Sequence, residues 1–145
     1  MIMSRTDSRA VYGIDDAIER TKRYIDAGAE ICFADGIGTR EELEKFAKEL
    51  SGSGAYLVAN MIEGGKTPLI PAKELEQMGF SLVFWACSAV YTISKALYDL
   101  FGNLAQDGTT EKSLDRMIEF SQFNSMIGLD TYKEYERKYK VDRDD

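Results

Sequence analysis

Four short apolar runs, MIMSR (1–5), AEICFAD (29–35), AYLVAN (55–60) and SLVFWA (81–86), are each followed by a segment with helical spacing of apolar residues. Strands that alternate with helices pair in parallel, because the intervening helix carries the chain back to begin the next strand from the same end. Such crossovers are right-handed. This alternation excludes helical bundles, sandwiches and hairpin meanders. Two architectures remain: a small open parallel sheet, or half of a (β/α)8 barrel, a fold that normally takes about 250 residues.

Local signals place the elements. Ala17, Ile18, Thr21, Tyr24 and Ile25 share one face of a helix predicted over Asp15 to Ala27, and Gly28 suits the left-handed position after it. Thr39 and Glu42 have the spacing of a capping box, with Leu43, Phe46, Ala47 and Leu50 facing inward behind them. Pro71 opens a short helix at its first position and Gly79 closes it. Ser88 is expected to cap a long helix carrying Ile93, Leu97, Leu100, Phe101 and Leu104. A further helix is expected to start at Thr110, with Leu114, Met117, Ile118 and Ser121 inward. A last one spans roughly 131–139, with Tyr132, Tyr135 and Tyr139 forming a packing or interface stripe. Trp85, in mid-strand, is expected in the core, and the charged tail KVDRDD is expected to fray. Residues 1–106 thus read as four βα units, and 107–145 as a helical extension of the same domain.

The formal charge of −7 (18 basic, 25 acidic residues) argues against binding a phosphate backbone, which needs clustered Lys and Arg. No apolar run is long enough to span a bilayer, and MIMSRTDSRA lacks the build of a signal peptide, so a cytoplasmic protein is expected. Cys32 and Cys87 lie inside apolar runs and read as reduced, buried thiols. There is no histidine, which excludes a Ser-His-Asp triad, a Cys-His pair or a His-ligated zinc within these residues.

In both surviving architectures ligands bind at the C-terminal ends of the strands. Arg5, Thr6 and Asp7, then Asp35, then Asn60 to Glu63, then Cys87 and Ser88 stand there. An arginine able to fork onto a carboxylate, an amide and two carboxylates on one rim suit a small acidic substrate. Glu63 and Lys66, in the glycine loop of VANMIEGGKTPLI, read equally as rim residues or solvated loop charges.

The series SRTDS, ICFADGI, VANMIEGGKTPLI, VFWACSAV and LAQDGTTEKSLDRM resembles the isocitrate lyase and phosphoenolpyruvate mutase superfamily, over nearly the whole chain from Ile2 to Tyr139. Within it the likeness is to the short-chain lyases acting on methylisocitrate, dimethylmalate or oxaloacetate. The resemblance implies a (β/α)8 barrel of which this chain is strands five to eight plus the C-terminal helices. It implies cleavage or formation of a carbon–carbon bond beside a 2-oxo acid through an enolate held by Mg2+. Arg5 resembles the arginine that grips a substrate carboxylate, and Asn60 the substrate-binding asparagine. Ser88 lies at the substrate end of the pocket. Asp35 stands where the family usually has glutamate, near the metal and its waters. Terminal helices that trade between subunits in the family imply a homo-oligomer.

The family's metal aspartates and the KKCGH-like loop with its catalytic cysteine belong to the barrel's first half, and neither Cys32 nor Cys87 inherits that role. The chain is therefore expected to be inactive alone: the C-terminal half of a lyase, through a split gene, a fragment or a gene model begun at an internal methionine. Met1 inside a strand pattern favours this. The alternatives are a complete non-catalytic half-barrel, or half of an enzyme of the phosphonate mutase branch. A coding stretch upstream holding acidic metal ligands and a KKCGH-like loop would identify the first.

Overall fold

The computed structural model describes residues 1–140; the tail expected to fray lies, from 141 on, outside the described residues. The chain divides into two compact units, Met1–Ser94 and the residues from Lys95 on.

The first unit is a parallel sheet wrapped on one face by helices. Strand β1 (Met3–Thr6) is followed by a short helix α1 (Arg9–Tyr12) and by α2 (Ile14–Asp26). Then come β2 (Ile31–Ala34), α3 (Arg40–Glu49), β3 (Tyr56–Asn60), α4 (Ala72–Met78) and β4 (Phe80–Phe84). The strands lie in the order β1-β2-β3-β4, all neighbours parallel. The α/β reading therefore holds. The first strand begins at Met3 rather than Met1, and the last ends at Phe84 rather than Ala86. Trp85 is consequently not core; it is 44% exposed, just past the strand.

Period-two alternation sorts the sheet's residues. Cys32, Ala34, Leu57 and Ala59 face the helices and join Ala17, Ile18, Leu43, Phe46, Ala47 and Leu75 in one core. Phe46, fully buried, stacks on Phe80 with ring centroids 6.4 Å apart. The other face is lined by Arg5, Phe33, Val58 and Leu82, which are register partners in turn. Phe33 and Val58 are buried there, with Phe84 edge-on to Phe33 at 5.6 Å. Towards its rims that face opens: Met3 is 48%, Tyr56 53% and Leu82 47% exposed.

Helix ends follow the local chemistry. The Thr39 side chain accepts from the Glu42 backbone N–H at 3.2 Å, as the capping box requires, but the Glu42 carboxylate reaches back to the N–H of Gly38 at 2.8 Å. Pro71 is the residue before α4 rather than its first member. Gly79 ends α4 at φ 110°, in the left-handed region where a side chain is strained.

Helix α5 (Ser88–Asp107) runs from the first unit into the second and buries none of its residues. Ser88 opens this helix but does not cap it; its hydroxyl donates to Glu63 instead. In the second unit the helix expected from Thr110 is a 3-10 turn, Glu111–Arg116, broken where Met117 turns extended. Then follow α6 (Phe120–Met126) and α7 (Leu129–Tyr139). Leu114, Met117, Ile118 and Ser121 are not inward: the buried residue of that turn is Ser113, which Asn103 Nδ2 bonds at 3.2 Å. Tyr132, Tyr135 and Tyr139 are exposed, the last two with rings 6.3 Å apart. Cys32 is buried and Cys87 half-buried; both are free thiols. No helix among the described residues is long and apolar enough to cross a membrane.

Candidate functional site

The parallel sheet brings the C-terminal ends of its four strands to one rim in the first unit. At the end of β1 the Arg5 guanidinium is held by two carboxylates. Its Nε donates to Asp7 Oδ2 at 3.0 Å, and its Nη2 donates to Asp7 Oδ1 at 2.7 Å and to Asp35 Oδ2 at 2.6 Å. The guanidinium also lies over the Phe33 ring, 5.2 Å from its centroid. The hydrogen bond to Asp7 raises Arg5 above its ordinary range, against some desolvation, with the Asp35 charge adding to it. The same bond holds the Asp7 carboxyl below its usual range. Arg5 is 54% exposed, so ion pairs there add little to stability, and their effect is to fix direction.

Asn60 ends β3. Its Oδ1 is buried and accepts no hydrogen bond. Buried acceptors are almost always paired, so an unpaired one at a strand end marks a place where a donor is expected. After it the chain folds into a tight loop. Gly64 has φ 72°, and the Gly65 N–H donates to the Ile62 carbonyl at 3.0 Å. A Cβ on Gly65 would stand 3.2 Å from that of Ile62. The Ile70 N–H closes the loop on Met61 Sδ at 3.5 Å.

Glu63, from this loop, accepts from the Ser88 hydroxyl through Oε1, while its Oε2 is buried and unpartnered. The Ser88 bond and its own backbone N–H hold the Glu63 carboxyl low. Tyr91, one turn along α5 from Ser88, is raised by its hydrogen bond to Cys87.

A cleft of about 290 Å³ opens at this rim, lined among others by Asp7, Asp35, Asn60, Ile62, Lys66 and Thr67. A larger groove of about 770 Å³ lies elsewhere, along α4 and β4 between Ala72 and Val83. Its polar side chains are Lys73, Glu76 and Ser81, away from the C-terminal ends of the strands. The structure thus brings Arg5, Asp35 and Asn60 together at the rim. Ser88 reaches the same loop through Glu63. Asp7, Lys66 and Thr67 join them; the loop motif pointed to Lys66, whereas nothing in the spacing of Asp7 announces that it would fork with Arg5.

The donor set does not make a metal site by itself. Among the described residues no group of three Asp, Glu, Cys or His side chains converges on one point. Two rim carboxylates, Asp7 and Asp35, are bridged by the Arg5 guanidinium and so are already paired with a cation. Mg2+ is therefore not accommodated by these residues alone.

Comparison with known proteins gives a consistent picture. The sequence profile of the phosphoenolpyruvate phosphomutase family matches residues 1–105. The 2,3-dimethylmalate lyase of Eubacterium barkeri is 40% identical over 143 residues, which are 99% of this chain and 48% of that protein. The petal death protein of Dianthus caryophyllus is 39% identical, over 96% of this chain and 43% of its own length. A crystal structure of 2,3-dimethylmalate lyase superposes with a TM-score of 0.80 at 29% identity, covering 95% of this chain and 47% of that one. The chain spans about half the length of the relatives it matches.

Proposed function

The chain belongs to the phosphoenolpyruvate phosphomutase family, and from that premise we propose that it forms strands five to eight, with the helices that follow, of a (β/α)8 carbon–carbon lyase. Its substrate on this reading is a small 2-oxo- or 2-hydroxy-di- or tricarboxylic acid, as for the dimethylmalate lyase it resembles. The observation that carries the reading is the rim itself, where Arg5, Asp35, Asn60 and the Glu63–Ser88 pair stand at successive strand ends of one parallel sheet.

The shape of the sheet supports the half-barrel. Parallel sheets are normally covered on both faces, whereas here Met3, Tyr56 and Leu82 leave an apolar face partly open. Both outer strands, β1 and β4, have unpaired edges, which invite pairing with further strands. Helices rather than further strands follow β4 among the described residues, which suits the later half of a barrel. The bare apolar surface of α5, with Val90, Tyr98 and Phe101 exposed, suits a homo-oligomer.

The geometry supports a role for each residue of this half. Arg5 presents a planar donor fork; a substrate carboxylate would take the position of one of the two aspartates that now hold it. Asn60 turns its amide to a substrate oxygen or hydroxyl. Ser88, tied to Glu63, fixes the loop that carries Asn60. Magnesium in the complete barrel would take its ligands from outside these residues and would supply charge stabilisation at a substrate oxygen; Asp35 would face it from this half. On this reading the acid–base group comes from the other half of the barrel; Cys32 is buried in the core and Cys87 is half-buried beside Ser88.

Co-expression of the chain with the first half of the Eubacterium barkeri dimethylmalate lyase tests the proposal. The mixed assembly should cleave dimethylmalate with Mg2+, and the pure chain should not. Arg5→Lys should lower kcat/KM by more than about tenfold, roughly 1.4 kcal/mol of transition-state binding. Turnover by the pure chain, a smaller loss, or a sharply melting monomer in sedimentation would each overturn the reading.

A further inference from the structure

Behind the rim a second arginine joins the loops that carry Asp7 and Asp35. Arg9, at the start of α1, donates through Nε to Glu42 Oε2 at 3.0 Å, with its Nη2 2.8 Å from the same oxygen. That oxygen also accepts the Gly38 N–H at 2.8 Å. Both side chains are largely sheltered, at 23% and 22% exposure. Arg9 belongs to the segment after β1, and Gly38 and Glu42 to the turn into α3. The same two segments meet again at the strand ends, where Asp35 N–H donates to the Thr6 carbonyl at 2.9 Å and Arg5 joins Asp7 to Asp35. The contacts form a closed ring with Arg5 at one end and Arg9 at the other.

Gly38 is the seat of this ring. A Cβ there would meet the Arg9 guanidinium, with Cζ only 2.9 Å away. Glycine at this position is explained by the arginine rather than by backbone conformation, since Gly38 has no positive φ.

We propose that Arg9, seated on Gly38 and bonded to Glu42, is a positioning residue that sets the spacing of Asp7 and Asp35 about Arg5. The coupling is independent of what the cleft binds, so its failure would leave the lyase reading untouched; its consequence for catalysis rests on that reading. Two different variants dislodge Arg9. Arg9→Met removes the guanidinium and keeps the apolar stem. Gly38→Ala pushes the end of a flexible side chain out of its seat with no backbone strain, and so spares the fold.

The test uses the full 145-residue chain, 15N-labelled at arginine, and follows hydrogen exchange of the Arg5 Nε–H. Exchange should quicken about twofold or more in each single variant, the factor that corresponds to ~0.4 kcal/mol of lost protection and lies within the range of an exposed ion pair. The double variant should be no faster than Arg9→Met alone, because both changes break one contact. Arg9→Lys, which keeps the charge on Glu42, should fall between wild type and Arg9→Met. A purely structural role for Arg9 would lower the melting temperature and leave Arg5 exchange unchanged. Unchanged Arg5 exchange in either single variant, or additive effects in the double variant, overturns the proposal.

Discussion

Replacing Asn60 by leucine should make the chain more stable, the reverse of what a strand residue ordinarily does. The Asn60 side chain makes no hydrogen bond through its buried Oδ1. A buried acceptor without a partner costs about 1–3 kcal/mol, whereas an apolar group of similar shape costs nothing of the kind. Asn60 is half-buried and borders the cleft, so part of the leucine would face water. That places the net gain near the bottom of the range, ~1 kcal/mol, or about 3 °C in Tm for a domain of this size. Asn60→Asp supplies the opposite sign, because it adds a charge at the same buried point beside Asp35. Calorimetric melting of the three proteins at neutral pH decides the matter. A leucine variant that melts below wild type would show that the amide is satisfied after all, and the case for a ligand at β3 would lose its main physical support.

Other outcomes follow from the packing and the charges. Phe46→Ala, which empties the fully buried ring stacked on Phe80, should cost ~3–5 kcal/mol and lower the urea midpoint with little change in slope. Acid should unfold the chain through its carboxylates. Burial opposes the charge on Glu42, but the Gly38 N–H and Arg9 outweigh it; Asp16 is held low by Arg20, and Glu49 by Lys22. These groups bind protons less readily folded than unfolded. Their stabilisation is therefore complete above the ordinary values of 3.8 and 4.5, and is lost as pH falls through the lower folded values. Tm should be flat from neutral pH to about 5 and fall below, with a shallower fall in Glu42→Gln.

The first unit was legible because its signals are local and agree with one another. Alternating runs set strand and helix, Thr39 and Glu42 marked a helix start, and Gly79 marked a helix end. What escaped was non-local. Arg9 and Glu42 are separated by 33 residues and Arg5 and Asp35 by 30, and no spacing rule reports such pairs. Trp85 lies outside the core because the chain leaves the sheet at Phe84 to reach Cys87 and Ser88, although apolar content carries the strand pattern on to Ala86. Beyond Thr110 helical spacing continued in the sequence, but Met117 is extended and the run splits into a 3-10 turn and a separate helix. Apolar residues at helical intervals there predict an inward face, and the structure leaves Leu114, Met117 and Ile118 exposed.

The strand order β1-β2-β3-β4 bears on how the sheet can be laid down at the ribosome. Each strand's partner is the one synthesised just before it: Met3 pairs with Ile31, Ile31 with Tyr56 and Leu57 with Phe80. No strand has to wait for a later one or slip between two already joined. Closing loops of such similar length costs nearly the same each time, since the entropy grows only with the logarithm of length. The growing sheet therefore always has one finished edge ready for the next arrival, and an interruption between units leaves a shorter version of the same sheet rather than a tangle. Its outermost strand stays as ready to accept a partner from another molecule as from its own chain.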